Sequence, residues 1–210
     1  MARVRLRDER YEYIKKIVVK TLKECNIREI PIDPFLICKV RGYKLIKYTK
    51  KYTKEEMEVV CRRYPNGFNY VLNGERIIEY NDTLAPERIR TTIFHEIGHI
   101  ELKHTCECSL AEAEAEWFAV YMIAPPPLVN LFNLEDSMDL AIKFDTSMEC
   151  GYYSMVRYIK WKKYTWILKD YERELVKQFT ATNEYLIKKE EVMQNWLQIK
   201  STLLLAITKY

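Results

Sequence analysis

Two histidines four residues apart constrain the fold of this chain more than any other feature. The segment His95-Glu96-Ile97-Gly98-His99 has the pattern H-E-x-x-H, and Pro86 upstream suits the first turn of a helix. Residues i and i+4 of a helix are about 40° apart around its axis, so both imidazoles face one point. Neutral imidazoles so placed suit tetrahedral Zn²⁺. The sequence therefore predicts a helix over about residues 86–104 that carries two zinc ligands.

Glu96 follows His95 directly and lies at the rim of the same helix face. Zn²⁺ lowers the pKa of a bound water to about 7, and a carboxylate at this position can take the proton as the water attacks a carbonyl. A chance match to the motif is the alternative, but two of only three histidines fall in it. We expect the third, His104, to lie on the opposite helix face in a structural or surface role.

A third protein ligand is needed for a catalytic zinc site, and the next predicted helix, over residues 109–124, offers three glutamates. Glu112 and Glu114 are about 200° apart around that helix, so only one can face the metal. Small alanines share the face of Glu112 and permit a close approach, which favours Glu112 and leaves Glu114 in reserve. Glu116 can orient a ligand histidine by a hydrogen bond. A solvated acidic face is the alternative interpretation.

Short strands before this helix pair indicate an α+β fold. Alternating β-branched and aromatic residues predict strands over 42–48, 68–72 and 75–80, and Asn73-Gly74 joins the last two as a hairpin. The other predicted helices cover about residues 8–25, 53–63, 136–145, 148–164 and 182–208. We expect a small β-sheet packed on the H-E-x-x-H helix and the second ligand-bearing helix, followed by a mostly helical C-terminal region.

Three linked motifs resemble the ImmA/IrrE family of zinc metallopeptidases, over about residues 60–125. They are a basic helix start at Arg88 leading into H-E-I-G-H, the run E-A-E-A-E-W-F-A from Glu112, and an apolar stretch that ends at Pro125. The family usually has Asp or Asn where Glu116 stands in this chain.

This resemblance implies that His95, His99 and Glu112 bind zinc and that Glu96 acts as the base. It further implies a zinc-dependent endopeptidase whose protein substrate is a DNA-binding helix-turn-helix repressor of a phage, mobile element or stress regulon. One alternative is a non-proteolytic regulator that keeps the zinc fold and binds a repressor or DNA. Another is an interaction module, such as a toxin–antitoxin partner, that uses the basic ends of the chain.

The run Pro125–Pro127 is the best candidate for a domain boundary, although a stop between two packed helices fits it equally. We expect a zincin-like domain over residues 1–127 and a helical region over 128–210 that can pack on it. The segment 140–147 is similar to a helix-turn-helix piece of the family. Residues 148–155 lack the basic and amide side chains of a recognition helix, so core packing is the favoured role.

The charge is segregated along the chain. Residues 91–150 carry 11 acidic and 2 basic side chains, a net charge of −9, between a first part at +8 and a last part at +5. The acidic middle favours a divalent cation. Aromatic and lysine side chains over 158–169 have direct nucleic-acid binding as one interpretation, but a core stripe beside a solvated face is the favoured one.

The composition excludes a disordered or low-complexity chain, with 48% hydrophobic residues, 5 Gly and 7 Pro among 210 residues. No apolar stretch approaches the roughly 20 residues of a membrane span, and the first ten residues lack an apolar signal core. We therefore expect a cytoplasmic protein without membrane contact. The six cysteines are too sparse for a disulfide scaffold, and we expect them to be reduced and mostly buried thiols. Cys106 and Cys108 are the only close pair, and no second pair completes a four-ligand metal site.

Overall fold

A small three-stranded sheet stands among many helices in the computed structural model, which describes residues 4–106, 108–180 and 196. The α+β class is therefore confirmed. The helix expected over 182–208 lies outside the described residues, apart from the helical Trp196. No helix within the described ranges is both long enough and apolar enough to cross a bilayer.

The elements follow one another as helices interrupted by the three strands. In chain order they are α1 (Asp8–Glu24), α2 (Pro34–Arg41), β1 (Lys44–Lys47), α3 (Tyr48–Lys51), α4 (Lys54–Arg63), β2 (Gly67–Leu72), β3 (Glu75–Tyr80), α5 (Pro86–Glu101), α6 (Ser109–Ile123), α7 (Pro126–Leu131), α8 (Ser137–Lys143), α9 (Met148–Tyr164) and α10 (Asp170–Thr180).

The sheet has the order β1-β3-β2, with β3 in the centre and β2 at one edge. β3 pairs in parallel with β1 and antiparallel with β2. The hairpin turn places both Asn73 and Gly74 at positive φ, which matches the twist of the two strands it joins. Because β2 pairs only with β3 among the described strands, its other edge has backbone groups that a further strand can bind.

The helices α5 and α6 pack against each other very closely, and Gly98 is the reason. A Cβ atom added at Gly98 would lie 3.1 Å from Cβ of Phe118 and 3.2 Å from Cα of Ala115. Ala115 and Ala119 of α6 are themselves buried in this interface. A glycine within a helix costs stability, and here it permits the close approach of the neighbouring helix.

Side-chain caps begin four of the described helices: α2, α4, α8 and α9. The Asp33 carboxylate accepts a hydrogen bond from the backbone N–H of Phe35 at 2.8 Å, and Thr53 forms a capping box with Glu56. The end of α5 differs from expectation. It stops at Glu101, three residues early, because the chain reverses through Lys103, whose φ is 58°.

The last described helix, α10, was not predicted, and it packs on α1. The hydroxyl of Tyr171 donates to Glu12 at 2.8 Å, and Gln178 donates to the backbone carbonyl of Leu22 at 2.9 Å. Leu175 and Phe179 of α10 share one hydrophobic cluster with the core of α1. The described part of the region after Pro127 is thus in direct contact with the N-terminal part, and the division at 127 stays a prediction.

Candidate metal centre

His95, His99 and Glu112 converge at the interface of α5 and α6. The Nε2 atoms of the two histidines lie 3.0 Å apart. The Glu112 carboxylate is 3.2 Å from Nε2 of His95 and 3.4 Å from Nε2 of His99. These three side chains form a group that can hold a metal ion.

This triangle of donor atoms fits a tetrahedral ion. Metal–ligand bonds of about 2.1 Å at the tetrahedral angle place two donor atoms about 3.4 Å apart. The three separations, from 3.0 to 3.4 Å, are close to that value. Two imidazoles and one carboxylate on one side of an ion leave the fourth position open, as catalytic zinc sites do.

Glu96 lies beside the cluster with its carboxylate held by the sheet. The residue is 7% exposed, and Asn69 of β2 donates a hydrogen bond from Nδ2 to Oε2 of Glu96 at 2.6 Å. β2 therefore fixes the orientation of the residue predicted to be the base. The sequence did not single out Asn69, although a short amide within an otherwise aromatic and β-branched strand is a usable signal.

The structure corrects the expectation for His104. We expected it on the opposite face of α5, but the reversal at Lys103 turns it back onto His99, with the two Nδ1 atoms 3.0 Å apart. On its other side, Nε2 of His104 lies 2.9 Å from the Glu114 carboxylate. The face argument failed because it assumed that the helix continues to residue 104.

Glu114, the reserve ligand of the sequence analysis, is directed away from the triad. It is buried, and Arg10 of α1 donates to both carboxylate oxygens at 2.6 Å. Glu116 is exposed, and its negative charge contributes to the raised pKa of His95. Its proposed role as an orienting residue stays a prediction.

The charges of the cluster influence one another. Burial alone would lower the pKa of His95, but the hydrogen bond with Glu112 and the nearby carboxylates raise it. Burial, together with repulsion from His95, lowers the pKa of His99 to about 4. The hydrogen bond from His95 lowers the pKa of Glu112. A neutral His99 and an ionised Glu112 are the protonation states in which these groups bind metal ions.

An open cleft of about 750 Å³ leads to the triad. One wall consists of β2 from Gly67 to Val71, and the other contains the α5 histidines and Thr105. Three arginines line the cleft as well: Arg63, Arg76 and Arg88. The cleft therefore connects the edge strand β2 with Glu96 and the metal-binding group.

All six cysteines are free thiols in the structure, but only Cys25 and Cys38 are buried, so the expectation of mostly buried thiols was wrong. Cys106 and Cys108 are exposed, with their Sγ atoms 2.8 Å apart, in the loop between α5 and α6. Cys106 lines the same cleft as the triad.

Comparison with known protein families gives a match that contains this whole arrangement. Residues 53–149 match the model of the IrrE N-terminal-like domain, peptidase family M78. The matched segment includes β2, α5 and α6, and thus every member of the triad. No curated protein and no solved structure matches the chain significantly. The match agrees with the resemblance seen in the motifs: residues 53–149 are similar to the metallopeptidase domain of the ImmA/IrrE family.

Proposed function

We propose that the protein is a zinc-dependent endopeptidase. The observation that carries this proposal is the juxtaposition of a three-ligand group with a buried glutamate at the end of an open cleft. The similarity of residues 53–149 to a metallopeptidase domain supports it. His95, His99 and Glu112 hold the ion, and two imidazoles with one carboxylate make zinc the favoured metal.

In this proposal Glu96 moves the proton. Held by His95, His99 and Glu112, zinc would supply a Lewis acid for activating water and polarising the peptide carbonyl. Glu96 takes the proton from the attacking water and delivers it to the leaving amine. Asn69 holds one carboxylate oxygen of Glu96 at 2.6 Å, which keeps the carboxylate beside the place that the attacking water must occupy.

We propose further that the substrate binds as an extended segment along β2. The edge of β2 that is not paired with β3 can bind a peptide backbone as an added strand. The family resemblance suggests a DNA-binding helix-turn-helix repressor as the protein substrate. Such a substrate and the exposed thiols of Cys106 and Cys108 both fit action in the cytoplasm.

A peptide library prepared from a whole proteome tests the activity on many candidate substrates at once. The wild-type protein loaded with zinc should create new peptide N-termini, identified by mass spectrometry. Glu96→Gln should bind zinc equally well and create none, because Gln cannot accept the proton. Equal cleavage by wild type and Glu96→Gln would refute the proposal.

The substitution Glu96→Gln also distinguishes the peptidase from the rival function, a non-proteolytic regulator. If the protein acts only by binding a repressor or DNA, Glu96→Gln retains full regulatory function with metal bound. A direct role in nucleic-acid binding for the basic C-terminal region would be visible as strong DNA affinity that falls steeply with salt. We favour the peptidase, because peptide hydrolysis gives the buried Glu96 carboxylate beside the triad a chemical role, as the base.

A further inference from the structure

We propose that His104, Glu114 and Arg10 are positioning residues that hold the ring of His99 with its Nε2 free for the metal. The inference rests on the proposed metal site and concerns how this chain supports it. Three consecutive hydrogen bonds connect the ligand to the N-terminal helix: His99 to His104, His104 to Glu114, and Glu114 to Arg10.

The direction of each hydrogen bond follows from the chemistry of the rings. To bind a metal, Nε2 of His99 needs its lone pair, so the neutral ring carries its hydrogen on Nδ1. That N–H lies 3.0 Å from Nδ1 of His104, which must then accept. His104 consequently carries its own hydrogen on Nε2 and donates it to Oε2 of Glu114, 2.9 Å away. One tautomer for each ring satisfies every contact.

Arg10 completes the chain of contacts from outside the domain that the family match covers. Glu114 is 4% exposed, and a carboxylate buried to that degree needs a cationic or hydrogen-bonding partner. The guanidinium of Arg10 supplies two hydrogen bonds of 2.6 Å. Close to Arg10, α1 packs on α6 through Tyr11 and Trp117, whose rings meet edge to face with their centroids 4.7 Å apart.

This arrangement has the form of a carboxylate–histidine–metal relay extended by one ring. A carboxylate that accepts from the outer nitrogen of a ligand histidine makes that ligand more basic and fixes its orientation. Here His104 stands between the carboxylate and the ligand, and the negative charge of Glu114 acts through it. The turn at Lys103, with its φ of 58°, is the backbone feature that brings His104 into place.

Zinc affinity, measured by competition with a chromophoric chelator, tests the relay without any substrate. His104→Leu and His104→Asn have nearly the same shape, but only Asn keeps an acceptor where Nδ1 of His104 stands. We expect His104→Leu to weaken zinc binding about 10- to 100-fold and His104→Asn to recover part of the loss. Tyr43→Phe is the control, since it removes a hydrogen bond to Glu101 of the same helix. It should leave the zinc affinity within about twofold of wild type.

Arg10→Gln tests the end of the hydrogen-bonded chain that lies on α1. The Arg10 side chain is 36% exposed, so its replacement is tolerated more easily than that of a buried residue. We expect a smaller loss of zinc affinity, of several-fold, since Glu114 keeps its contact with His104. If His104→Leu does not fold, the zinc affinity of Arg10→Gln alone tests the inference. An affinity unchanged in Arg10→Gln would then overturn the inference.

Nitrogen-15 labelling of histidine gives a second readout that a purely structural role would not move. The chain has only three histidines, so three rings appear in the spectrum. In the zinc-loaded wild type, His99 should carry its hydrogen on Nδ1 and His104 on Nε2. Zinc binding by wild type together with equal affinities for wild type, His104→Leu and His104→Asn would overturn the relay alone. Absence of zinc binding in wild type would instead refute the proposed function.

Discussion

The close approach at Gly98 predicts that Gly98→Ala damages the metal centre and not only the stability. The added Cβ would lie 3.1 Å from both Cβ and Cδ1 of Phe118 and 3.2 Å from Cα of Ala115. Two of these atoms are fixed to the backbone of α6, so α6 must shift by a few tenths of an ångström. Because α6 carries Glu112, this shift exceeds the tolerance of about 0.2 Å for metal–ligand distances.

Two opposing effects determine how much Gly98→Ala changes the free energy of unfolding. Replacing a helical glycine by alanine stabilises by about 1 kcal/mol, whereas overpacking a tight interface costs about 1–3 kcal/mol. We therefore expect Gly98→Ala to lower the free energy of unfolding of the apo protein by about 1 kcal/mol. Zinc affinity should fall by about tenfold, a loss of the size found for residues that orient ligands.

Gly151→Ala is the matched control. Its Cβ would lie 2.7 Å from the backbone oxygen of Ser137 and 2.9 Å from Cβ of Ala141, a tighter contact than at Gly98. Neither α8 nor α9 contains a candidate metal ligand. Urea unfolding and chelator competition should show that Gly151→Ala loses stability but keeps its zinc affinity. The reasoning is refuted if Gly98→Ala binds zinc like wild type, or if both variants lose zinc equally.

Three further predictions concern residues around this centre. Asn69→Ala removes the hydrogen bond to Glu96. The kcat for a peptide found in the library screen should fall about tenfold, while zinc binding stays unchanged. An unchanged kcat would contradict the role of Asn69. Glu79→Gln should lower the free energy of unfolding by about 2–3 kcal/mol, because the buried carboxylate accepts hydrogen bonds from Lys51, Tyr52 and Tyr70. The zinc affinity should not change. Urea titration measures the stability, and an unchanged free energy of unfolding would contradict this reasoning. Burial would raise the pKa of Glu12, but hydrogen bonds from Lys15, Lys169 and Tyr171 lower it to about 2. Its stabilising effect is therefore complete above pH 4.5 and is lost as the pH falls towards 2, so wild type should lose more stability than Glu12→Gln over that range in acid titration.

Local sequence signals predicted the parts of the fold that depend on neighbouring residues. The Asn73-Gly74 turn, the capping box at Thr53 and the i,i+4 spacing of the histidines act within a few residues, and the structure contains each of them. The faces of α6 likewise separated Glu112, which lies by His95 and His99, from Glu114, which contacts His104 and Arg10 instead.

Contacts between distant segments could not be predicted in the same way. Arg10 and Glu114 are 104 residues apart in sequence, and no local pattern links them. The reversal after α5 uses Lys103 at positive φ, a conformation for which glycine or asparagine is the usual signal. Helix α10 was missed as well, although it packs on α1.

The metal content of the purified protein tests the central claim most directly. Wild type, Glu112→Ala and Glu114→Ala are loaded with zinc, freed of excess metal and measured by atomic emission. We predict one zinc per chain in wild type, none in Glu112→Ala, and one in Glu114→Ala that a chelator removes more readily. Wild type without zinc after loading, or Glu112→Ala with a full equivalent, would contradict the account.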